Sequence, residues 1–191
     1  MSSGSSHTSH LEFIYPQRRQ SRLKDYDYTA SGAYFFTVCT YNRACILGEV
    51  VEHEVILTPL GMMVESAWQD VPNHYQHVRI DQSIVMPNHI HGIVRIELSD
   101  RGPARDPGRS PTHRNGTAPE SLAAIVGSFK ARVTRQSRRA MMLSAEARLW
   151  QRGFYDHAIR SDRALERIRE YIVNNPAQWH LDAENPVQMP K

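Results

Sequence analysis

His89 and His91 stand one residue apart in Met86-Pro87-Asn88-His89-Ile90-His91-Gly92-Ile93-Val94, an apolar stretch with the composition of a β-strand. Alternate residues of a strand share a face, so both imidazoles point the same way and can hold one divalent cation, while Ile90 anchors the strand in the opposite layer. A second grouping lies in Arg167-Ile168-Arg169-Glu170-Tyr171-Ile172-Val173-Asn174-Asn175-Pro176. With Leu165, Ile168 and Ile172 as the buried stripe of a helix, Tyr171 falls on its flank and Asn175, four residues on, shares its face. A phenol and a carboxamide one turn apart can serve as a nucleophile and a neighbouring metal ligand. Each grouping has a plainer reading as well: core-packed histidines for the first, and an edge tyrosine with an asparagine C-cap for the second. Tyr155, beside Asp156 and His157, is the alternative nucleophile. On a strand it shares a face with His157 and not with Asp156, so these three do not line up as nucleophile, base and orienter.

These residues need elements to position them. Tyr34-Phe35-Phe36-Thr37-Val38-Cys39-Thr40 is β-branched and aromatic, the pattern of a buried strand, and Ile46 to Leu57 reads as a hairpin-like excursion. Thr58-Pro59 opens a helix with Met62, Val64 and Trp68 among its apolar positions, ending before Pro72. Strands follow at about 77–86 and 89–97, turned by Pro87-Asn88, so the histidine pair starts the second strand of a hairpin. Residues 99–118 form a Pro/Gly/Arg-rich stretch that reads as a mobile loop. Thr117-Ala118-Pro119-Glu120 then resembles a capping box ahead of a helix striped by Leu122, Ile125, Val126, Phe129 and Val133. A strand at about 154–160 leads to Ser161-Asp162, which caps a helix running through Asn175 and stopped by Pro176. The order β-α-β-β-α-β plus a C-terminal helix predicts an α+β, ferredoxin-like (RRM-like) sandwich: an antiparallel sheet with helices on one face, and a further helix carrying the tyrosine. Many activities use that fold, so the fold alone assigns none.

The chain has 191 residues and a formal charge of +3, with a pI near 9.0. That length suits one domain, read here as residues 16–182 between tails at 1–15 and 183–191. Basic residues cluster in Arg18-Arg19-Gln20-Ser21-Arg22-Leu23-Lys24 and from Lys130-Ala131-Arg132 to Arg138-Arg139. Such patches suit a phosphate-rich partner, which makes Arg18, Arg19, Arg22, Lys24, Lys130 and Arg132 its candidate contacts. Cys39 and Cys45 supply neither a disulfide framework nor a four-cysteine zinc site, so a reducing compartment is the default. No apolar run approaches the roughly 18 residues of a membrane span, and the polar start Met1-Ser2-Ser3-Gly4-Ser5-Ser6 lacks a secretory core, so a cytoplasmic protein with no membrane partner is expected.

Taken together, Val85-Met86-Pro87-Asn88-His89-Ile90-His91-Gly92-Ile93 and Tyr171-Ile172-Val173-Asn174-Asn175-Pro176 resemble the two motifs of single-tyrosine HUH transposases, in the branch of REP-associated tyrosine transposases. Further matching stretches are Asp27-Tyr28 through Thr37, Gly127-Ser128-Phe129-Lys130, and Trp150 through His157 with Ile159-Arg160. The resemblance implies that Tyr171 attacks the scissile phosphate of single-stranded DNA. That step leaves a 5′-phosphotyrosine link and a free 3′-hydroxyl, and its reversal joins strands. It implies a divalent ion, Mg²⁺ or Mn²⁺, held by His89 and His91, with Asn175 standing where relatives carry a glutamine that completes the shell. The implied partner is single-stranded DNA bearing the hairpin of a REP or insertion-sequence end. The protein is then expected to be a monomer or homodimer in the bacterial cytoplasm, with the nucleoid when bound to DNA. The competing reading is a non-catalytic nucleic-acid-binding protein on the same fold, which needs neither the metal nor the tyrosine. A histidine-triad hydrolase is disfavoured, because Ile93 occupies the third alternating position.

Overall fold

In the computed structural model, residues 31–97 and 121–186 are described. Strand β1 (Gly32–Cys39) is followed by a single 3₁₀ turn at Tyr41–Arg43, the hairpin β2 (Gly48–Val51) and β3 (Glu54–Leu57), and helices α1 (Pro59–Gln69) and α2 (Val71–His74). Strands β4 (Val78–Met86) and β5 (His89–Ile96) come next, then α3 (Leu122–Arg139), β6 (Tyr155–Ile159) and α4 (Asp162–Asn174). The expected strands, hairpin and helices are therefore all present, with ends moved by a residue or two.

Helix starts follow from side-chain oxygens that satisfy otherwise orphaned backbone N–H groups. Thr58 Oγ1 accepts from Gly61 N at 3.1 Å, and Pro59 sits in the first turn, where its missing N–H costs nothing. Ser161 accepts from Ala164 N at 3.2 Å as the sequence indicates. Helix α3 differs: its cap is Ser121, which accepts from Ala124 N at 3.3 Å. The capping box expected at Thr117–Glu120 lies outside the described residues, as do the loop 99–118 and the basic cluster from Arg18 to Lys24.

Four strands form one antiparallel sheet in the order β4-β5-β1-β6. Its two faces bury different things, because side chains alternate along each strand. Tyr34, Phe36 and Val38 of β1 and Ile90, Val94 and Ile96 of β5 pack on one face against Val64 and Trp68 of α1 and Ile125, Phe129 and Val133 of α3. Trp68 is the hinge of this core, with its ring centroid 4.5 Å from Phe36 and 5.2 Å from Phe129. Phe35 and Ile93 pack on the other face against Leu165 and Ile172. Helix α4 therefore covers the face toward which His89 and His91 point.

Gly92, which follows the histidine pair, belongs to the α1/α3 face opposite them. A Cβ there would lie 2.4 and 2.6 Å from Phe36 ring atoms, and Phe36 is itself fully buried against Trp68. Gly92→Ala is accordingly expected to destabilise the protein by about 1–3 kcal/mol through overpacking. Chemical denaturation with an unchanged midpoint would show instead that the ring has room to yield.

Candidate metal and tyrosine centre

Register builds the site. Thr37 of β1 lies opposite His91 of β5 on one side and Tyr155 of β6 on the other, and Cys39 lies opposite His89. Both histidines are buried, and their Nε2 atoms converge to 2.9 Å from each other. The far ring nitrogens are each held. His91 Nδ1 lies 2.8 Å from Thr37 Oγ1, and His89 Nδ1 lies 2.9 Å from Asn88 Oδ1. The Asn88 amide is oriented by its own donations to the carbonyls of Arg43 (3.1 Å) and Glu184 (2.7 Å), so its oxygen faces His89 as an acceptor. His89 must then carry its proton on Nδ1, which leaves a bare lone pair on Nε2. Burial first, and the neighbouring His91 second, hold the His89 imidazole well below its usual pKa and keep it in the neutral form that ligates metals.

Asp182, beyond the 3₁₀ turn Trp179–Leu181, completes the cluster. Its Oδ2 lies 4.0 Å from His89 Nε2 and 3.9 Å from His91 Nε2, and all three residues are buried. Burial pushes this carboxyl up, but the facing imidazoles and the backbone N–H of Glu184 outweigh it and hold the group far below the ordinary carboxylate range. Two nitrogens bound at about 2.1 Å to one cation at a right angle stand about 3 Å apart, and one cation can bridge donors up to about 4 Å apart. The spacing of His89, His91 and Asp182 fits a single divalent ion. The fit is reinforced by Asn175, whose Nδ2 donates to Asp182 Oδ2 at 2.8 Å while its Oδ1 is buried without a hydrogen-bond partner. Asn175 thus reaches the cluster from α4, as its spacing from Tyr171 indicates, and it does so by orienting Asp182.

Tyr171 stands at the edge of this cluster. Its hydroxyl lies 3.1 Å from His91 Nε2 and donates toward Asp182 Oδ2 at 3.5 Å, and its ring packs edge-on against Phe35. Helix α4 is tied down two residues earlier, where Arg169 donates from Nε to Asp81 Oδ1 and from a terminal nitrogen to Asp81 Oδ2, both at 2.7 Å. Arg95 joins the same carboxylate at 2.9 Å. A bidentate guanidinium–carboxylate pair fixes orientation as well as distance, and so sets how Tyr171 faces the histidines. Tyr155 shares this face of the sheet, with its ring 6.2 Å from Phe35, but among the described residues no hydrogen bond joins it to either histidine. Burial, and then Asp156, push the Tyr155 phenol pKa up, away from the nucleophilic phenolate.

Other sequence candidates are placed elsewhere. Lys130 Nζ donates to the carbonyls of Gln151 and Gly153, both at 2.7 Å, and so closes the loop before β6. Arg132 donates to Asp70 Oδ2 at 2.6 Å and to the Ala67 carbonyl, joining α3 to the end of α1. The structure does not bring either cation to the histidine face. Past residue 182, Glu184 and Asn185 are held to the body by hydrogen bonds and an ion pair, beside the cluster. Asp182, Asn88, Arg43 and Glu184 were not marked out by spacing or periodicity. Asn88 alone had a signal, its place in the turn before the histidines.

No family model matches the sequence. An uncharacterized protein of Haemophilus influenzae is 37% identical over 168 residues, which span 86% of this chain and 91% of that protein. A second protein of the same organism, provisionally named a REP-associated tyrosine transposase, is 25% identical over 159 residues, spanning 80% and 74% of the two chains. Among solved structures, a REP-associated tyrosine transposase bound to a REP hairpin shares the fold, with a TM-score of 0.51 and 22% identity across 82% of this chain and 73% of that one. Among the described residues, no helix is long and apolar enough to cross a membrane.

Proposed function

We propose that the chain is a transposase of the REP-associated tyrosine kind, to a provisionally named example of which it is 25% identical, and that it cuts and rejoins single-stranded DNA at hairpin-bearing ends of the REP or insertion-sequence type, with Tyr171 as the nucleophile. The observation that carries this reading is the Tyr171 hydroxyl 3.1 Å from His91 Nε2, at the rim of a buried cluster fit for one divalent cation. The sheet order β4-β5-β1-β6, with α1 and α3 together on one face, supports a ferredoxin-like βαββαβ scaffold for this centre.

His89, His91 and Asp182 would hold Mg²⁺ or Mn²⁺, with the Asn175 oxygen as a further donor. Bound there, the ion supplies Lewis-acid polarisation of a phosphate oxygen and stabilises charge on the departing 3′-oxygen. The chain's own residues do the rest. Phe35 and the Arg169–Asp81 clamp orient the phenol for in-line attack. Its oxygen forms the new bond to phosphorus as the bond to the 3′-oxygen breaks, which conserves a phosphodiester and needs no nucleotide triphosphate. An ordinary phenol has a pKa near 10 and must shed its proton to react. With His91 Nε2 and Asp182 Oδ2 turned to the ion, the phenol proton leaves to solvent and the departing 3′-oxygen takes one up. Joining runs the same step backwards.

The test is incubation of the full-length protein with single-stranded DNA carrying an imperfect hairpin, with Mg²⁺, with Mn²⁺ and with EDTA. A denaturation-resistant protein–DNA adduct that requires the ion is expected. DNA binding without an adduct under any of these conditions would favour the non-catalytic reading.

A further inference from the structure

We propose that Glu184, gripped by Arg43, is a positioning residue that holds Asp182 opposite the histidine pair and thereby sets the affinity of the site for a divalent cation. The inference rests on the metal-binding reading above and concerns residues outside the ligand set. Glu184 is held through its side chain, its carbonyl and its amide. Its Oε2 accepts from the Arg43 guanidinium at 2.7 Å and from Cys39 Sγ at 3.3 Å, and its carbonyl accepts from Asn88 Nδ2 at 2.7 Å. Its backbone N–H donates to Asp182 Oδ1 at 2.6 Å. One residue is thus fixed by side chain and carbonyl and, with its amide, aims the carboxylate whose other oxygen faces the histidines.

The grip comes from an unusual place. Arg43 is buried, and it follows Asn42 in a left-handed backbone conformation, φ 53° after φ 52°, which non-glycine residues adopt at a cost. A buried guanidinium needs a partner, and Glu184 supplies the charge. The Arg43 carbonyl also accepts from Asn88 Nδ2, and Thr40 ties the same turn to the Asn88 carbonyl through its N–H at 2.8 Å and its hydroxyl at 3.0 Å. Asn88 is therefore shared: its oxygen accepts from His89 Nδ1, and its nitrogen donates to the carbonyls of both Arg43 and Glu184. Groups that orient ligands without touching the metal commonly contribute 10–100-fold to metal affinity. A purely structural ion pair would support folding and leave that affinity alone.

The test is a titration of full-length protein with Mn²⁺, free ion being read by electron paramagnetic resonance, for the wild type, Glu184→Gln, Arg43→Lys and Asp182→Asn, with each metal-free protein checked for cooperative unfolding. Glu184→Gln keeps shape and backbone contacts while removing the charge, and Arg43→Lys is the second probe should that variant not fold. Both are expected to weaken Mn²⁺ binding by roughly 10–100-fold, and Asp182→Asn by at least as much. Wild-type affinity in the Glu184 and Arg43 variants, with Asp182→Asn weakened, overturns the positioning role and leaves the metal site standing. Weakening in Glu184→Gln without weakening in Asp182→Asn overturns it too, since Glu184 is to act through Asp182. A wild type that binds no Mn²⁺ removes the metal-site reading and this inference with it.

Discussion

Tyr171→Phe is expected to abolish the covalent protein–DNA adduct while Tyr155→Phe retains it. Phenylalanine keeps the ring that packs against Phe35 and deletes only the hydroxyl that lies 3.1 Å from His91 Nε2. Folding should therefore survive and chemistry should not. Losing a nucleophile that works as a unit with its neighbours costs on the order of a millionfold in rate, which for this reaction means no visible adduct. Tyr155 is the informative control. It occupies the same face, but its phenol is raised by burial and by Asp156, and no hydrogen bond to the histidines orients it. The opposite outcome, an adduct that survives Tyr171→Phe and disappears in Tyr155→Phe, would move the nucleophile to β6 and remove the role given to α4.

His91→Ala, and equally His89→Ala, should lose divalent-cation binding altogether, a larger effect than the roughly 10–100-fold that outer partners contribute. The two Nε2 atoms lie 2.9 Å apart, with both far nitrogens turned to partners, so each ring offers its lone pair to one point. Removing either leaves the other facing Asp182 alone. The readout is thermal: an ion present at about 100 times its Kd adds about 2.7 kcal/mol to the folded state, which in a domain of this size raises Tm by roughly 5–10 °C. Wild-type protein should show that rise with Mn²⁺, and both alanine variants should show none. The same Mn²⁺-dependent rise in wild type and variants would place the bound ion somewhere other than the histidine pair. His91→Ala should also lower adduct formation, since it loses both the ion and the contact with Tyr171.

What could be read along the chain was whatever local periodicity decides. Alternation in β5 puts His89 and His91 on one face and Ile90 on the other, and the 3.6-residue period puts Tyr171 beside a stripe of Leu165, Ile168 and Ile172. Both hold in the structure, as do the caps Thr58 and Ser161. These features depend on a few neighbouring residues, and a strand or helix imposes them wherever it is placed. Asp182 carries no such signal. It follows Pro176 and a short 3₁₀ turn, where no repeating pattern marks one carboxylate above another, and it matters only because the chain folds back across β5. The same holds for Arg43 and Glu184, an ordinary surface pair by composition, which become a buried ion pair once the turn after β1 meets the segment after α4. Lys130 and Arg132 show the reverse case. By type they suit phosphate, yet packing of α3 against α1 and against the loop before β6 gives their charges to carbonyls and to Asp70. Local pattern thus accounts for the paired histidines, the tyrosine helix and the strands and helices that carry them. Which face α4 covers, which carboxylate meets the histidines and which cations are paired within the fold follow instead from contacts between segments far apart in the chain, and no local period encodes those.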